Sequence, residues 1–280
     1  MLSYDVHQHL WPEALIEGLR ERQERPRLRG GVLELPSGDW DADLGVHTLD
    51  ARLALLDRDE IDVAVISLPP TLELDEALVE TYHEGIAEVV AASGGRLVAL
   101  ACGSARDGFA GVCVPAWDLA GLVACEPLLE ELERRGGLLF VHPGPAPVPE
   151  GAPAWWPAVV DYTAQMQAAY VAWIALNADR WPDLRVVFAI LAGGAPFQLE
   201  RLASRGIDTR SVVRPNVYLD TASYGERALE LALATYGVAQ LVYGSDAPVI
   251  DSEPTLRSIR GFGQAVEDVV CRDNPARLLQ

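Results

Sequence analysis

Three histidines and one aspartate stand at positions where short apolar runs end. His7 and His9 flank Gln8 in the segment DVHQH, His142 closes the run LLFVH, and Asp246 follows LVYGS. Residues two apart on an extended strand point to the same face, so the first two imidazoles would lie side by side. Three neutral imidazoles and one carboxylate form a ligand set that suits Zn²⁺ or a similar divalent ion.

Each of these residues also has an ordinary structural explanation. Two interior histidines can be satisfied by hydrogen bonds in a barrel core, and an aspartate at the end of a strand often caps a helix or forms a turn. The metal interpretation is favoured because the residues occur together: a His-x-His pair, a later strand-end histidine and a final Gly-Ser-Asp-x-Pro. We therefore predict a metal site formed by His7, His9, His142 and Asp246.

Eight predicted strands would position these residues, and most are followed by a segment with helical periodicity. Several are near-continuous hydrophobic runs, such as IDVAVISL and RVVFAIL, as expected for a parallel sheet covered on both faces. The predicted strands are Leu2–His9, Ile61–Leu68, Arg96–Cys102, Gly111–Pro115, Leu138–His142, Arg185–Leu191, Val217–Thr221 and Leu241–Ser245. The most economical architecture is one α/β domain over residues 1–280, a (β/α)8 TIM barrel. The carboxyl ends of its first, fifth and eighth strands converge where active sites of this fold lie.

Helices are predicted in most connections between the strands. The helix after the third strand is weak or missing, because little more than ARDGFA separates that strand from the fourth. Two longer connections, Gly30–Leu44 after strand one and Gly144–Pro157 after strand five, fit loop insertions better than domain linkers. The predicted helices are one that begins near Thr48, then Leu72–Ala92, Glu126–Arg135, Trp156–Arg180, Pro196–Ser204, Gly225–Tyr236, Glu253–Phe262 and Asn274–Leu279.

The composition excludes several partners and mechanisms. With 22 basic and 41 acidic residues, the net charge of −19 makes nucleic acid and anionic membrane surfaces poor partners. Every basic residue is arginine. The absence of lysine excludes a P-loop lysine, a Schiff base and a Ser-x-x-Lys hydrolase. We therefore expect a small-molecule substrate, no nucleic acid and no membrane.

The cysteines and the first residues of the chain indicate a compartment. The four cysteines form no Cys-x-x-Cys pair and suggest no disulfide framework, which favours a reduced, intracellular setting. The opening MLSYDVHQHL has neither a basic leader nor an apolar stretch, and no apolar run approaches about 18 residues. A cytoplasmic protein is therefore expected.

The order of motifs along the chain resembles that of a known family. DVHQH, LLFVHPGP, RWPDLRVVFAILAGG, NVYLDTAS, YGSDAP and NPARLL resemble segments of the amidohydrolase-related metal-dependent hydrolases. More narrowly, the chain resembles the group of aminocarboxymuconate-semialdehyde decarboxylase. The resemblance implies that His7, His9, His142 and Asp246 bind one divalent metal ion, usually zinc. It also implies cleavage of a C–C, C–N or C–O bond in a small carbonyl or carboxylate compound. Relatives are often dimers, and the sequence is compatible with a homodimer.

One position departs from the family's pattern. Relatives usually have a histidine at the end of the sixth strand, in a segment such as VVLAHLGG, whereas this chain reads VVFAILAGG. Leu191 occupies that position when the segment is aligned on its glycine pair, and Ile190 occupies it when the alignment starts from the strand. Neither side chain has a proton to exchange. His47 and His83, before and within predicted helices, are interpreted as structural or surface residues.

Three hypotheses follow from this departure. In the first, the chain is an enzyme: a metal ion lowers the pKa of bound water to about 7, and Asp246 takes the proton and later delivers it to the leaving group. In the second, the barrel binds a metal ion or small molecule with little turnover, since a missing general base costs about 10²–10⁴-fold. The third, a metal-free hydrolase, leaves three clustered histidines without a purpose. Asp220, in YLDTAS, either orients the water or a ligand, or caps a helix.

Several further side chains could contact a substrate. Trp11, Trp117, Trp155 and Trp156 fall on or near loops at the carboxyl ends of the predicted strands, where they could form the wall of a hydrophobic pocket. Packing of these loops onto the barrel explains each tryptophan equally well. Arg106 could pair with a substrate carboxylate through its fork of donors, although an exposed surface role is favoured.

Overall fold

Short runs rich in valine, isoleucine and leucine form the strands, because β-branched and apolar side chains pack well in a sheet that is buried on both faces. The structure is a computed structural model that describes residues 1–121 and 125–280, without the side chains of residues 210 and 211. Within these residues the strands β1 to β12 are Tyr4–His9, Arg27–Arg29, Val32–Leu35, Gly38–Asp41, Val63–Ser67, Leu97–Ala99, Ala101–Cys102, Gly111–Pro115, Leu138–His142, Arg185–Phe188, Val217–Asp220 and Leu241–Val242.

Parallel strands close into a barrel. Hydrogen bonds join β1, β5 and β6 in one sheet and β7 to β12 in a second, and only Leu100 separates β6 from β7. The backbone N–H of Leu100 donates to the carbonyl of Ile66 on β5 at 2.8 Å, and the N–H of Ala110, the residue before β8, donates to the carbonyl of Ala99 on β6 at 3.0 Å, which links the two sheets. The barrel closes where Val6 donates to the carbonyl of Tyr243 at 2.9 Å and Asp246 donates to that of His7 at 2.8 Å. The predicted (β/α)8 TIM barrel is therefore confirmed, with β6 and β7 forming its third strand.

Helices follow most of the barrel strands, and their ends agree with the residue types found there. The side chain of Thr48 caps α2, that of Asp75 caps α3, and Gly136 ends α5 in the left-handed conformation. Residues 103–110 contain no helix, as predicted for the connection after the third strand. The helices α1 to α11 of the described residues are Glu13–Glu21, Leu49–Asp59, Glu76–Ala92, Ala116–Ala120, Glu126–Arg135, Tyr162–Ala172, Ile190–Ala203, Glu226–Tyr236, Glu253–Gly261, Gln264–Asp268 and Asn274–Leu278. Across the described ranges, no helix has both the length and the apolar character that crossing a membrane requires.

The connections after β1 and β9 are long. Between α1 and α2, the strands β2, β3 and β4 form an antiparallel sheet, and β3 and β4 fall within the longer connection Gly30–Leu44 noted from the sequence. After β9, residues 143–155 contain neither helix nor strand. The helix predicted over Trp156–Arg180 is observed as α6 with π-helical turns on either side, at Pro157–Asp161 and Trp173–Asn177.

Two barrel strands end earlier than predicted. β10 ends at Phe188 instead of Leu191, and β12 ends at Val242 instead of Ser245. Soon after each end the backbone turns left-handed, at Ile190 and at Asp246. The predicted ends of these strands were wrong because the hydrophobic run continues beyond the point where the backbone stops being extended.

Candidate metal centre

His7 and His9 lie next to each other on β1 and point into the barrel. Both residues are only 1% exposed. Nε2 of His7 is 3.2 Å from Nε2 of His9, and the rings meet edge to face with centroids 5.0 Å apart. The ring of His7 also contacts Phe140 of β9, a strand on the other side of the barrel. This is the side-by-side arrangement that the period of two predicts.

His142 and Asp246 reach the same point from other strands. His142 is the last residue of β9, and its ring centroid is 5.1 Å from that of His7 and from that of His9. Asp246 follows β12, and its Oδ1 is 3.1 Å from Nε2 of His9 and 3.5 Å from Nε2 of His7. One ligand atom from each of the four residues lies within 4.8 Å of the others. The structure thus brings together all four residues that the sequence singled out.

Hydrogen bonds on the far side of each ring leave one nitrogen of every histidine available to a metal ion. In each case the nearest partner of Nδ1 is an oxygen that can only accept a hydrogen bond, so Nδ1 carries a proton and Nε2 is the nitrogen that faces the metal site. The three pairs are His7 with Oδ2 of Asp220 (2.7 Å), His9 with the carbonyl of Ser67 (2.9 Å) and His142 with the carbonyl of Pro143 (2.8 Å). Three such nitrogens and one carboxylate fit a divalent metal ion.

The charges around these side chains favour a cation. Burial acts to lower the pKa of His7, but the charge of Asp220 and its hydrogen bond raise that pKa to about 9. Burial holds the pKa of His142 well below its ordinary value. Burial also acts to raise the pKa of Asp246, and the charges of the neighbouring imidazoles outweigh it and lower that pKa. A cation bound here would replace the proton on His7, so metal binding is expected to release a proton.

A buried polar network joins β1 to the end of β12 beside the four side chains. Asp5 accepts the backbone N–H of His7 at 3.1 Å, that of Ser245 at 3.0 Å and the side-chain amide of Gln8 at 2.7 Å. Arg52 of α2, only 1% exposed, donates to the side-chain oxygen of Gln8. Burial raises the pKa of Asp5 to about 6. This network fixes the backbone that carries the His-x-His pair.

β10 is followed by a left-handed turn where the resembled family usually has a histidine. Residues 190–194, the first five in the range of α7, all have positive φ, from 47° at Ile190 to 80° at Gly194, so the right-handed part of α7 begins only after Gly194. This conformation costs about 1–2 kcal/mol for each residue with a side chain. Oδ1 of Asp220 accepts the N–H of Ile190 at 2.8 Å, which holds the start of the turn. Leu191 is buried in the core, and neither aliphatic side chain supplies a group that exchanges protons.

The two other histidines have structural partners. His47 stacks on Trp11 with ring centroids 4.2 Å apart, and its Nδ1 accepts the backbone N–H of Trp11 at 3.2 Å. Burial lowers the pKa of His47 to about 3. His83, buried in α3, accepts the backbone N–H of Cys102 at 2.9 Å. Of the two interpretations given from the sequence, the structural one is confirmed for both residues.

The residues expected to contact a substrate lie in different environments. Trp117 and Trp155 are more than half exposed, and Trp155 stacks on Trp156. Arg106 donates to Glu80 through Nη1 at 2.8 Å, in line with the surface role favoured from the sequence. A pocket wall formed by these tryptophans stays a prediction.

Sequence reasoning missed Asp5 and Arg52. The period of two could not have grouped Asp5 with the histidines, because the register with β5 shifts between Asp5 and Gln8, so Asp5 lies on the face of β1 that carries Gln8, whose side-chain amide it accepts. Arg52 lies 43 residues from His9, to whose carbonyl it donates at 2.7 Å. No local pattern connects these two positions, so this contact could be seen only in the fold.

Known proteins resemble this chain in sequence and in fold. The model of the Amidohydrolase family, Amidohydro_2, matches residues 4–280. The 2-amino-3-carboxymuconate-6-semialdehyde decarboxylase of Dictyostelium discoideum is 24% identical to this chain, in an alignment that covers 88% of this chain and 78% of that protein.

Two solved structures have the same fold. The apo form of Metarhizium anisopliae IDCase superposes with a TM-score of 0.82 at 21% identity, covering 99% of this chain and 97% of that one. A dihydroxybenzoic acid decarboxylase from Polaromonas sp. JS666, with bound manganese and the inhibitor 2-nitroresorcinol, has a TM-score of 0.69 at 16% identity, covering 99% and 96%. The family match confirms the resemblance seen in the motifs, and with it the prediction of an enzyme: this chain belongs to the Amidohydrolase family.

Proposed function

We propose that this chain is a metal-dependent decarboxylase that acts on a small carboxylate. The observation that carries the proposal is the convergence of His7, His9, His142 and Asp246 at the carboxyl ends of barrel strands. These four residues are the proposed metal ligands. Similarity to proteins described as decarboxylases, by sequence and by fold, supports decarboxylation as the reaction.

Zinc is the first ion to test, because three imidazole nitrogens and one carboxylate are a common ligand set for it. Manganese is the alternative, supported by the manganese found in the Polaromonas relative. Either ion, when bound, would supply a Lewis acid that polarises a substrate oxygen.

Asp246 is the proposed proton carrier. In a decarboxylation the bond between the substrate carbon and its carboxyl group breaks, CO₂ leaves, and the electron pair stays on the carbon, which then takes up a proton that Asp246 would relay from water. The side chain of Asp246 is 16% exposed, whereas those of His7 and His9 are 0% and 2% exposed. Asp246 therefore has access to a substrate that these two imidazoles lack.

A second candidate is a barrel that binds a metal ion or small molecule with little turnover. The observation that favours it is the pair of aliphatic residues, Ile190 and Leu191, at the end of β10. A missing general base lowers a rate by about 10²–10⁴-fold, so activity would be weak rather than absent.

The test combines metal analysis with two substrate panels. Purified protein is loaded with Zn²⁺ or Mn²⁺, its metal content is measured, and CO₂ release is followed for hydroxylated aromatic and dienoic carboxylates. Acid release from esters and lactones is followed in parallel. We expect CO₂ release from at least one carboxylate, lost in His142→Ala and after chelation. Bound metal without turnover on either panel supports the second candidate, and hydrolysis without CO₂ release overturns decarboxylation.

A further inference from the structure

Asp220 connects the metal site to the left-handed turn. It is the last residue of β11 and is fully buried. Its Oδ2 is 2.7 Å from Nδ1 of His7, while its Oδ1 accepts the backbone N–H of Ile190 at 2.8 Å and that of Ala222 at 3.1 Å. Each carboxylate oxygen therefore has its own donors, and the two oxygens are not interchangeable.

We propose that Asp220 is a positioning residue that keeps the proton of His7 on Nδ1 and so leaves the lone pair of Nε2 for the metal ion. A carboxylate can only accept hydrogen bonds, so its partner nitrogen must donate. Outer partners of this kind fix the tautomer of metal-binding histidines in many proteins. The proposal rests on the proposed metal site and adds one residue to it.

An asparagine at this position would reverse the tautomer of His7. The backbone N–H groups of Ile190 and Ala222 can only donate, so they require the amide oxygen of the new side chain. Its NH₂ group would then face Nδ1 of His7, which would become an acceptor while the proton moved to Nε2. A protonated Nε2 cannot bind a metal ion. An aspartate-to-asparagine change in the Ser-His-Asp triad acts through the same wrong tautomer.

The left-handed turn at residues 190–194 prevents the asparagine side chain from rotating its amide oxygen towards His7. Ile190 can turn its N–H away from Asp220 only if the left-handed segment moves, and that segment is fixed at Gly193. The side chain of Gln167 donates to the carbonyl of Gly193 at 2.7 Å. A Cβ built on Gly193 would lie 2.3 Å from the carbonyl oxygen of Thr163, so the backbones are already in close contact there. The donor at Ile190 is therefore held in place.

A double-mutant cycle on Zn²⁺ affinity tests the proposal. Zinc dissociation constants are measured by competition with a chromogenic chelator for wild type, Asp220→Asn, His7→Ala and the double variant. We expect Asp220→Asn to weaken binding by about 10–100-fold in the wild-type background, and to have no further effect when His7 is already removed. An equal loss in both backgrounds would make Asp220 a general structural support, and no loss in either would leave it without a role; both results overturn the proposal.

A measurement on the unmutated protein applies even if Asp220→Asn does not fold. Long-range ¹H–¹⁵N correlation spectra of the zinc-loaded wild type report which ring nitrogen of each histidine carries a proton. We expect a protonated Nδ1 and a metal-bound Nε2 for His7. Metal bound through Nδ1 of His7 would overturn the role of Asp220 and leave the metal site standing. Failure of the wild type to bind zinc or manganese would instead overturn the proposed function.

Discussion

Asp246 and His9 come from opposite ends of the chain, yet Oδ1 of the aspartate lies 3.1 Å from Nε2 of the histidine. Two features of the backbone make this contact. The barrel closes beside it, where the N–H of Asp246 donates to the carbonyl of His7. Asp246 also has a φ of 64°, in the left-handed region that aspartate and asparagine adopt more readily than most residues.

Replacing Asp246 by asparagine tests this carboxylate without disturbing its backbone. Asparagine has the same shape and tolerates the same φ, but it is a weaker metal ligand and does not carry the proton. We expect a folded protein with weaker zinc binding, and CO₂ release lowered by about 10²–10⁴-fold at saturating metal. Asp251→Asn is the matched control, because that side chain is 58% exposed. Near-normal turnover by Asp246→Asn would exclude the proposed proton transfer.

Because His47 is buried in its neutral form, the free energy of unfolding should fall in mild acid. Its pKa is about 3 in the folded protein, against about 6.5 in an unfolded chain. Because the folded value is the lower one, the unfolded chain takes up the proton first. The contribution of neutral His47 is therefore complete above about pH 6.5 and is lost as the pH falls towards about 3.

The comparison that isolates this effect is with His47→Phe, which keeps a ring against Trp11 but cannot titrate. Between pH 7 and pH 5.5 we expect the wild type to lose about 1 kcal/mol more unfolding free energy than the variant. Urea denaturation with chelator present measures this difference without a contribution from metal release. The same pH dependence in both proteins would contradict a buried, neutral His47.

Much of this molecule could be predicted from local patterns. The hydrophobic runs locate the barrel strands, and His7, His9, His142 and Asp246 could be grouped because the carboxyl ends of parallel strands meet at one face. The left-handed turn had no such pattern. Isoleucine, leucine and alanine rarely adopt positive φ, so Ile190 and its neighbours resemble a continuing strand, and only the glycine pair that follows indicates a turn. Arg52 was missed for another reason, since its partner on β1 lies far away in sequence.

The glycine pair in the turn allows backbone strain and steric contact to be separated. Gly193 and Gly194 have φ of 66° and 80°, so an alanine at either position costs about 1–2 kcal/mol of conformational strain. At Gly193 the new Cβ would also lie 2.3 Å from the carbonyl oxygen of Thr163, whereas at Gly194 the nearest atom is the Tyr224 hydroxyl at 3.9 Å. We expect Gly193→Ala to lower the free energy of unfolding, measured in urea, clearly more than Gly194→Ala. Equal effects would mean that the turn and α6 do not pack as described.

The end of β10 offers two positions for the histidine that this chain lacks, and their surroundings differ. Leu191 is 1% exposed among core side chains, so Leu191→His removes about 2 kcal/mol of apolar burial and places a polar ring there. Ile190 is half-buried, and histidine adopts positive φ more readily than a β-branched residue does. We therefore expect Leu191→His to lower the free energy of unfolding strongly and Ile190→His to change it little.

The rate of CO₂ release by Ile190→His then tests whether the end of β10 lacks a general base. If it does, Ile190→His should raise CO₂ release at least about tenfold, within the range that a general base contributes. Ile190→Gln is the matched control, since its amide is polar and forms hydrogen bonds but does not exchange a proton near neutral pH. A gain shared by both variants would come from polarity alone. If the histidine variant stays at the wild-type rate, the reaction does not need an imidazole at this position, and Asp246 is the only proton carrier left among the proposed site residues.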